Sequence, residues 1–495
     1  MAQKPFALYA IFSVFFTFSL FSTTSSHSPV PEASNSIATT LVLDVKASLK
    51  QAHQILSVDP HTLRPFEQEE HVQSVDPKNS SSSGSFSLLL YPTDALVNTQ
   101  HKDYKSLVLS RLERDKVRVK YINAKLDLDL INNEKKSMIR QESVSTPISS
   151  GRSIGTGGYV SRIGVGNPVK EFYMIMDTGS DINWLQCKPC YDCYKQKDPV
   201  FDPILSSSYK QVTCRSQLCK MLQGPSCMVG SCPYKVLYGD GSYTKGDFVT
   251  ETVSFGNSGA LRNIVLGCGH TNRGLWDGAA GLVGLGGGPL SLTSQIKASS
   301  FSYCLVDLNS VQSSSLEFNS ERPSDSVTTP LLKNSQDRTF YYVGITGISV
   351  GGKLLSIPQS IFQLEESGNG GVIVDSGTVI TRLRTEAYES LRDEFKKQAQ
   401  QLPSTSGEAL FDTCYDLSEE TTVEVPTVSF HFSSGKSLTL PGNNILVPLD
   451  STGKFCFAFA PMSSSLSIIG SLQQQGMRVS FDLVNSVIGF SPNKC

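Results

Sequence analysis

The chain of 495 residues has little net charge, no cysteine before Cys187 and no long apolar run after its first 21 residues. A formal net charge of −2 gives no general reason to expect nucleic acid as a partner. A membrane span needs about 20 consecutive apolar residues, so nothing beyond the N-terminus predicts a stable membrane anchor. The length predicts two or three domains.

The N-terminus has the layout of a secretory signal peptide. Lys4 precedes an apolar run over residues 6–21, and small polar residues follow at 22–26. We expect residues 1–25 to be a signal peptide; the alternative is an uncleaved anchor, for which the run is short. The chain is therefore expected in the secretory pathway. One N-glycosylation sequence begins at Asn79, which predicts a glycoprotein.

The stretch that follows differs from the rest of the chain in charge. Residues 27–100 are rich in Ser, Pro and acidic residues and predict loops. Residues 101–141 predict a helix and carry eleven Lys or Arg against six Asp or Glu, a net charge of +5, whereas everything after residue 150 sums to −3. A basic, cysteine-free segment before an acidic, cysteine-rich body predicts a propeptide over residues 26–145. An independent helical surface segment is the alternative.

From residue 159 onward, short β runs alternate with Gly, Asn and Pro, which predicts an all-β body over residues 159–491. A helix is predicted at residues 385–400. A Ser-rich stretch at 309–326 predicts a linker, so we expect one lobe over 159–325 and a second over 340–495. Strands are predicted at 159–165, 170–176, 248–255, 264–267, 341–350, 427–432 and 479–481.

Two acidic stretches share one pattern. Residues 174–180 (MIMDTGS) recur 198 residues later as residues 372–378 (VIVDSGT). An apolar run reads as a buried strand that ends in a tight turn at the acid. The spacing is too long for a solenoid and predicts two similar lobes, each bringing one carboxylate, Asp177 or Asp375, to a shared site.

Two carboxylates held close together cannot both ionise, so the pair shares a proton. The ionised member can take a proton from water while the other donates one to a carbonyl oxygen, which hydrolyses an amide without a metal or a cofactor. We expect Gly179 and Gly377 to allow the tight turns. Ser180 and Thr378 could hydrogen-bond the outer carboxylate oxygens.

These motifs resemble those of pepsin-type aspartic proteases, and the resemblance extends from residue 159 to the C-terminus. It implies a bilobal fold of two β-barrel-like lobes with the active site in the cleft between them, and Asp177 and Asp375 as the catalytic residues. In that family each acid strand is paired with a hydrophobic-hydrophobic-Gly strand, which residues 282–284 and 468–470 match. The resemblance implies these supporting residues: Thr178, Gly179, Ser180, Ser376, Gly377, Thr378, the flap tyrosine Tyr238 and its partner Trp184.

The twelve cysteines are an even number in a chain predicted to be secreted, which favours disulfides over zinc ligands. Their spacing resembles the cysteine-rich insert of nepenthesin-type plant aspartic proteases, and the chain is most similar to the guard-cell members. The resemblance implies the pairs Cys187–Cys190, Cys193–Cys268, Cys214–Cys232, Cys219–Cys227, Cys304–Cys495 and Cys414–Cys456.

The resemblance implies a secreted endopeptidase made as a zymogen, monomeric, acting on peptides or proteins, with no cofactor, no metal and its own propeptide as inhibitor. It also implies guard-cell or stress-related proteolysis in the apoplast, vacuole or endoplasmic reticulum. The basic helix could lie against the cleft and donate Lys or Arg to the acids, with cleavage at about residues 137–150 in acid. The alternative is a catalytically silent inhibitor or binding protein of plant cell-wall defence. A DNA-binding chloroplast protease is a further alternative, against which the signal peptide and acidic body argue.

Overall fold

The computed structural model describes residues 38–57, 85–97, 101–135, 158–222, 230–238, 242–274, 276, 278–310 and 312–495, with side chains of residues 128–135 left out. The predicted signal peptide, the glycosylation sequence at Asn79 and the predicted cleavage stretch lie outside these residues. None of the described helices combines the length and the apolar character needed to cross a membrane.

The N-terminal segment, defined here as residues 38–135, has more regular structure than its sequence predicts. Its elements are β1 (Thr40–Asp44), α1 (Val45–Ile55), β2 (Phe86–Pro92), α2 (Asp94–Val97) and α3 (Tyr104–Lys135). Helix α3 confirms the helix predicted at 101–141. The prediction of loops over 27–100 is wrong where β1, α1, β2 and α2 form, because the partners of both strands lie far away in the chain.

The first lobe is built almost entirely of strands. Its elements are β3 (Tyr159–Val165), β4 (Lys170–Asp177), β5 (Trp184–Gln186), β6 (Lys210–Gln211), α4 (Gln217–Lys220), β7 (Pro233–Leu237), β8 (Tyr243–Ser254), β9 (Ala260–Arg273), β10 (Gly281–Gly284), α5 (Leu292–Gln295), β11 (Ser300–Cys304) and β12 (Ser314–Phe318). Strand β12 lies inside the stretch predicted as a linker, and its pairing with β11 explains the difference.

The second lobe has the same character and one longer helix. Its elements are β13 (Val327–Leu332), β14 (Tyr341–Val343), β15 (Ile345–Val350), β16 (Lys353–Leu354), β17 (Val372–Val374), β18 (Thr381–Arg384), α6 (Thr385–Gln398), β19 (Ser404–Thr405), β20 (Cys414–Asp416), β21 (Thr422–Pro426), β22 (Val428–Phe432), β23 (Ser437–Thr439), β24 (Leu446–Pro448), β25 (Lys454–Phe457), β26 (Phe459–Met462), β27 (Ser467–Ile469), β28 (Met477–Asp482) and β29 (Val487–Pro492). The all-β prediction is confirmed.

The two lobes place their acidic strand ends in equivalent surroundings. Strand β4 pairs in parallel with β10, so Asp177 lies opposite Gly284. Strand β17 pairs in parallel with β27, with Val374 opposite Ile469. These are the hydrophobic-hydrophobic-Gly partner strands that the resemblance implies. The residues just before each acid are buried in β4 and β17, which explains the near-continuous apolar runs there.

The N-terminal segment is integrated into the sheets of the body. Strand β2 pairs with β12 on one side and with β3 on the other. Strand β1 pairs antiparallel with β21 of the second lobe. Val45 and Ile55 of α1 are fully buried in the main apolar core. Burial of each such side chain contributes about 1.5–3 kcal/mol, so the segment is held by packing as well as by strand pairing.

The disulfides differ from those that the resemblance implies. The structure contains Cys187–Cys268, Cys190–Cys193, Cys219–Cys232, Cys304–Cys495 and Cys414–Cys456, and Cys214 is also disulfide-bonded. The last two of these five pairs were expected. The expected pairs Cys187–Cys190, Cys193–Cys268, Cys214–Cys232 and Cys219–Cys227 are wrong in this structure.

Strand register accounts for the first difference. Strand β5 pairs in parallel with β9, which places Leu185 opposite Cys268. Cys187 comes directly after β5, and its Cα atom lies 5.3 Å from that of Cys268. This separation lies in the range that a disulfide requires. Cys190 is left with Cys193, whose Cα atom is 6.0 Å away.

Candidate active site

Asp177 and Asp375 are both fully buried where their strands end. The backbone of each acid is held by the neighbouring strand. The amide of Leu285 donates to the carbonyl of Asp177 at 2.8 Å, and the amide of Asp375 donates to the carbonyl of Ile469 at 3.1 Å. The side chains can therefore project from a fixed backbone into the space between the lobes.

Each carboxylate accepts the same two kinds of hydrogen bond. Asp177 Oδ1 accepts from the amide of Gly179 at 2.9 Å, and its Oδ2 accepts from the hydroxyl of Ser180. Asp375 Oδ1 accepts from the amide of the glycine two residues later at 3.2 Å, and its Oδ2 accepts from Thr378 Oγ1 at 2.6 Å. The roles expected for Ser180 and Thr378 therefore match the geometry, which fixes the plane of both carboxylates.

The turns that follow the two acids are also bonded to each other. The amide of Ser376 donates to Thr178 Oγ1 at 2.9 Å, and the amide of Thr178 donates to Ser376 Oγ at 3.4 Å. Thr178 Oγ1 donates to Asp375 Oδ1 at 3.3 Å. These reciprocal bonds tie one lobe to the other at the carboxylates and keep the pair in register.

Gly179 and Gly377 are needed for close approach rather than for an unusual backbone angle. Neither has a φ in the left-handed region. A Cβ atom at Gly179 would lie 2.9 Å from Asp375 Oδ1, and a Cβ atom at Gly377 would lie 2.6 Å from Asp177 Oδ1. The tight-turn reason expected from sequence is therefore replaced by a steric one, because each turn packs against the opposite carboxylate.

Arg118 of α3 lies between the two carboxylates. Its Nη1 and Nη2 donate to the two oxygens of Asp177 at 2.8 and 2.6 Å. Its Nε donates to Asp375 Oδ2 at 3.2 Å, and Nη2 also donates to Asp375 Oδ1 at 3.1 Å. The arginine fork thus binds one carboxylate in bidentate fashion and also reaches the other. The predicted contact between the basic helix and the acids is present.

Burial and charge act in opposite directions on this triad. Burial raises the pKa of Asp177; the Arg118 charge opposes this rise and the nearby Asp375 adds to it. Burial alone would lower the pKa of Arg118, but the two carboxylates raise it above its ordinary value. The arginine is therefore charged, and it partly neutralises a pair that burial disfavours as two anions.

Tyr238 and Trp184 are joined as the resemblance implies. Trp184 Nε1 donates to Tyr238 Oη at 2.9 Å. Tyr238 is nevertheless buried: its ring centroid lies 4.9 Å from that of Trp276 and 5.4 Å from that of Tyr121 on α3. Residues 239–241, which follow the flap tyrosine, lie outside the described part of the chain. Tyr238 is therefore a packed residue of the first lobe as well as the acceptor for Trp184.

A cavity of about 710 Å³ lies beside Tyr238 and extends along α3. Its wall includes Tyr121 and Lys125 of the helix and the carboxylates of Asp181 and Asp337. Lys125 Nζ donates to Asp337 Oδ2 at 3.0 Å and to Thr339 Oγ1 at 2.7 Å. The helix therefore occupies only part of the cleft beside the acids.

The sequence does not show which residues of α3 become buried when the helix docks. Arg111, Arg114, Asp115 and Arg118 are all buried, at spacings of three or four residues that place them on one helical face. Charged residues are almost never fully buried unless they are paired. The regular arginine spacing was the available sign that this face binds acidic groups and is not solvated.

Comparison with known proteins agrees with this architecture. A family model described as "Xylanase inhibitor N-terminal" matches residues 159–319, and one described as "Xylanase inhibitor C-terminal" matches residues 340–492. The solved structure of edgp has a TM-score of 0.56 at 22% identity and covers 68% of this chain and 92% of its own. At that identity the likeness concerns the fold alone.

Closer relatives are named as proteases. The protein "ASPARTIC PROTEASE IN GUARD CELL 2" of Arabidopsis thaliana is 44% identical over 421 residues, which are 84% of this chain and 89% of that protein. "Aspartic proteinase nepenthesin-1" of Nepenthes gracilis is 42% identical over 69% of this chain and 79% of its own length. The chain therefore belongs to the pepsin-like family of aspartic endopeptidases, among its nepenthesin-like plant members.

Proposed function

We propose that Asp177 and Asp375 together activate a water molecule for peptide-bond hydrolysis once Arg118 has left the site. The ionised carboxylate takes a proton from the water as its oxygen attacks the peptide carbonyl carbon, and the protonated carboxyl donates to the carbonyl oxygen. Proton transfer to the amide nitrogen then allows the C–N bond to break, which gives a carboxylic acid and an amine. No metal or covalent intermediate takes part.

The observation that carries this proposal is the equivalence of the two carboxylates. Each is buried, each accepts from a backbone amide at one oxygen, and each accepts from a hydroxyl at the other. Such preorganised donors hold the reacting oxygens in place, so little reorganisation is needed during the reaction. The alternative of a catalytically silent inhibitor gives no reason to keep both acids and their hydroxyl partners.

We propose further that the N-terminal segment is the propeptide and inhibits the enzyme. Arg118 occupies the space between the carboxylates, where the water and the peptide carbonyl would have to bind. The helix that carries it is anchored on both sides: Tyr104 Oη donates to Asn309 Oδ1 at 3.1 Å, and Lys125 bonds to Asp337. A substrate can enter only when α3 leaves the cleft.

The charges at this contact support release in acid. Lys105 forms an ion pair with Glu408 of the body at 2.5 Å, and a hydrogen bond from Lys105 holds the pKa of Glu408 below its ordinary value. A carboxyl group whose pKa is lowered by docking stabilises the docked state at pH values above its ordinary pKa. It loses that contribution as the pH falls through the lowered pKa. Docking should therefore weaken as the solution becomes acidic, and cleavage should follow at about residues 137–150.

The experiment is a pH-series incubation of the purified precursor with a denatured protein as substrate. N-terminal sequencing follows maturation, and an inhibitor that mimics the tetrahedral intermediate identifies the reaction class. We expect an inactive precursor at neutral pH, and in acid a shortened, active form that this inhibitor blocks. Hydrolysis that persists with the inhibitor, or with Asp177→Asn, would reject the assignment of the pair.

We propose that the protein passes through the secretory pathway and works in the apoplast, vacuole or endoplasmic reticulum as a monomer. The disulfides support an oxidising compartment, because such bonds are rare in the cytosol. We also propose guard-cell or stress-related proteolysis; the name of the guard-cell relative supports the first of these roles. A C-terminal tag imaged in leaf epidermis tests the compartment, and measured leaf water loss in plants lacking the protein tests the role.

A further inference from the structure

A second side chain of α3 is fully buried against the body near the carboxylate pair. Asp115 lies three residues before Arg118 and has no solvent exposure. Its Oδ1 accepts from the backbone amide of Val379 at 2.5 Å and from that of Ile380 at 3.2 Å. Its Oδ2 accepts from the guanidinium Nη2 of Arg382. All three donors belong to the body of the enzyme.

We call these three donors the anion cradle: the amides of Val379 and Ile380 and the guanidinium of Arg382. The cradle is continuous with the site, because Val379 follows directly after Thr378, whose hydroxyl holds Asp375. Arg382 stands on β18, which is fixed by parallel pairing with β26. The cradle is thus built on a strand of the body and the turn before it.

The cradle lies on one defined flank of the carboxylate pair. Val379 is four residues after Asp375, and Asp181 is four residues after Asp177 in the first lobe. Because the lobes are related, equivalent positions fall on opposite sides of the pair. The first lobe presents the carboxylate of Asp181 there, bonded to Thr339 at 2.8 Å and near Lys125. The first lobe therefore presents a carboxyl group at the position where the second lobe presents N–H donors.

Arg382 has hydrogen-bonding capacity that Asp115 does not use. The residue is 4% exposed, and its Nε has no hydrogen-bond partner among the residues that the structure describes. A buried guanidinium nitrogen without a partner is costly, and a carboxylate that approaches the fork directly can bind two of its nitrogens. Asp115 binds only Nη2 of the fork, because it belongs to a helix that Arg118 also holds in place.

We propose that the anion cradle is a substrate subsite that selects a carboxylate side chain, Asp or Glu, on the Asp375 flank of the scissile bond. Asp115 occupies this subsite in the precursor in the way that a substrate residue would. Three helical residues rise about 4.5 Å, and an extended peptide advances about 3.3 Å per residue. The acidic residue therefore belongs one or two positions from the cleaved bond. This inference rests on the proposed peptidase function.

The competing explanation is that Arg382 only anchors α3. That role ends when the segment leaves, so it predicts no charge preference in the matured enzyme. The subsite role predicts a preference for acidic over amide side chains of nearly equal size. A hydrogen-bonded ionic contact of this kind corresponds to roughly a tenfold or larger ratio in kcat/KM.

The test uses matched peptides based on one cleaved sequence. Each position near the cleaved bond carries Asp or Asn in turn, then Glu or Gln, and kcat/KM is measured at about pH 5 with acid-matured enzyme. We expect kcat/KM to be about tenfold or more larger for the acidic peptide than for its amide partner when the exchanged residue stands at one position, on one side of the cleaved bond. That ratio should fall toward one below about pH 4, where the substrate carboxyl becomes protonated.

The variants separate the two roles of Arg382. Asp115→Asn/Arg382→Gln removes both charges, so the precursor folds without an unpaired buried charge. After maturation this variant should show a ratio near one. Asp115→Asn alone is the matched control, because its matured enzyme has lost residue 115 and must keep the full preference. If the double variant fails to fold, Arg382→Lys should still lower the ratio by removing the fork.

Three outcomes are informative. An equal rate for acidic and amide peptides in the unaltered enzyme overturns the subsite while leaving the peptidase function intact. A preference of undiminished size in the double variant, or in Arg382→Lys, also overturns it. If no peptide of either kind is cleaved, the proposed function itself fails, and the two failures are thereby distinguished.

Discussion

Replacing Arg118 by Met in the precursor is expected to release the active site without maturation. The arginine is fully buried and pairs with two buried carboxylates at 2.6 and 3.1 Å. Removing one partner of a buried pair costs about 3–5 kcal/mol, because the remaining charges are left uncompensated. Met keeps most of the apolar stem, so the loss is mainly electrostatic. That cost corresponds to an increase of roughly two to nearly four orders of magnitude in the undocked fraction of α3.

The assay is the initial rate of fluorogenic peptide hydrolysis at about pH 7 by precursor that gel electrophoresis shows to be uncleaved. We expect the unaltered precursor to be silent and Arg118→Met to hydrolyse the peptide. Lys116→Met is the matched control: Lys116 is on the same helix, but its side chain is 58% exposed, so this precursor should remain silent. Arg118→Lys should lie between the two, because an ammonium cannot bind a carboxylate in bidentate fashion.

The effect should shrink in acid. Without Arg118 the two carboxylates can relieve their repulsion by taking up one proton, and this becomes easier as pH falls. The ratio of the rates of Arg118→Met and the unaltered protein should therefore be largest near neutral pH. If the Met variant is folded, silent and as stable as the unaltered precursor at about pH 7, the ion pair does not hold the helix in place. Arg118 would then not be the contact that inhibits the precursor.

Other substitutions test separate parts of the site. Asp177→Asn and Asp375→Asn should each abolish turnover in the matured enzyme, and the double variant should be little worse, because the pair acts as a unit; substantial activity in either single variant contradicts this. Tyr238→Phe should leave the buried Nε1 of Trp184 without its acceptor, lowering the free energy of unfolding by about 1–3 kcal/mol in denaturant titrations, whereas an unchanged midpoint would show that this bond contributes nothing. Burial lowers the pKa of His101, and the charge of Arg114 adds to the effect. Protonation of His101 therefore opposes docking when the pH falls below the ordinary histidine pKa of about 6.5. His101→Gln should shift the midpoint of maturation to lower pH, and an unchanged midpoint would show that His101 does not trigger release.

The location of the carboxylate pair could be predicted because the pattern is local. An apolar run followed by Asp, a hydroxyl residue and Gly encodes a buried strand and its turn, and the repetition of that pattern encodes two lobes. The partner strands of Asp177 and Asp375 could also be matched from three-residue patterns. The structure changes the reason for Gly179 and Gly377, since the approach of the opposite carboxylate excludes a Cβ atom there.

Contacts between distant parts of the chain could not be read in this way. Strands β1 and β2 lie in a stretch whose local sequence predicts loops. They form because each pairs with strands that are distant in the chain: β1 with β21, and β2 with β12 and β3. The pairing of Cys187 with Cys268 follows from the register of β5 on β9. Cysteine spacing in the sequence is compatible with several pairings, and only strand neighbours choose among them.

The sequence by itself determined the all-β lobes, the two acids and their hydroxyl partners, and the basic character of the helix before them. It could not determine which charge on that helix meets the acids. Arg114, Lys116, Arg118 and Lys120 are similar in sequence terms, and helix periodicity alone does not say which face is covered. Only the docking of α3 between the lobes buries Arg118 against two carboxylates and Asp115 against the anion cradle. Packing between distant parts of the chain decides which charges of α3 are buried, because a buried charge is stable only next to an opposite charge or to several N–H donors.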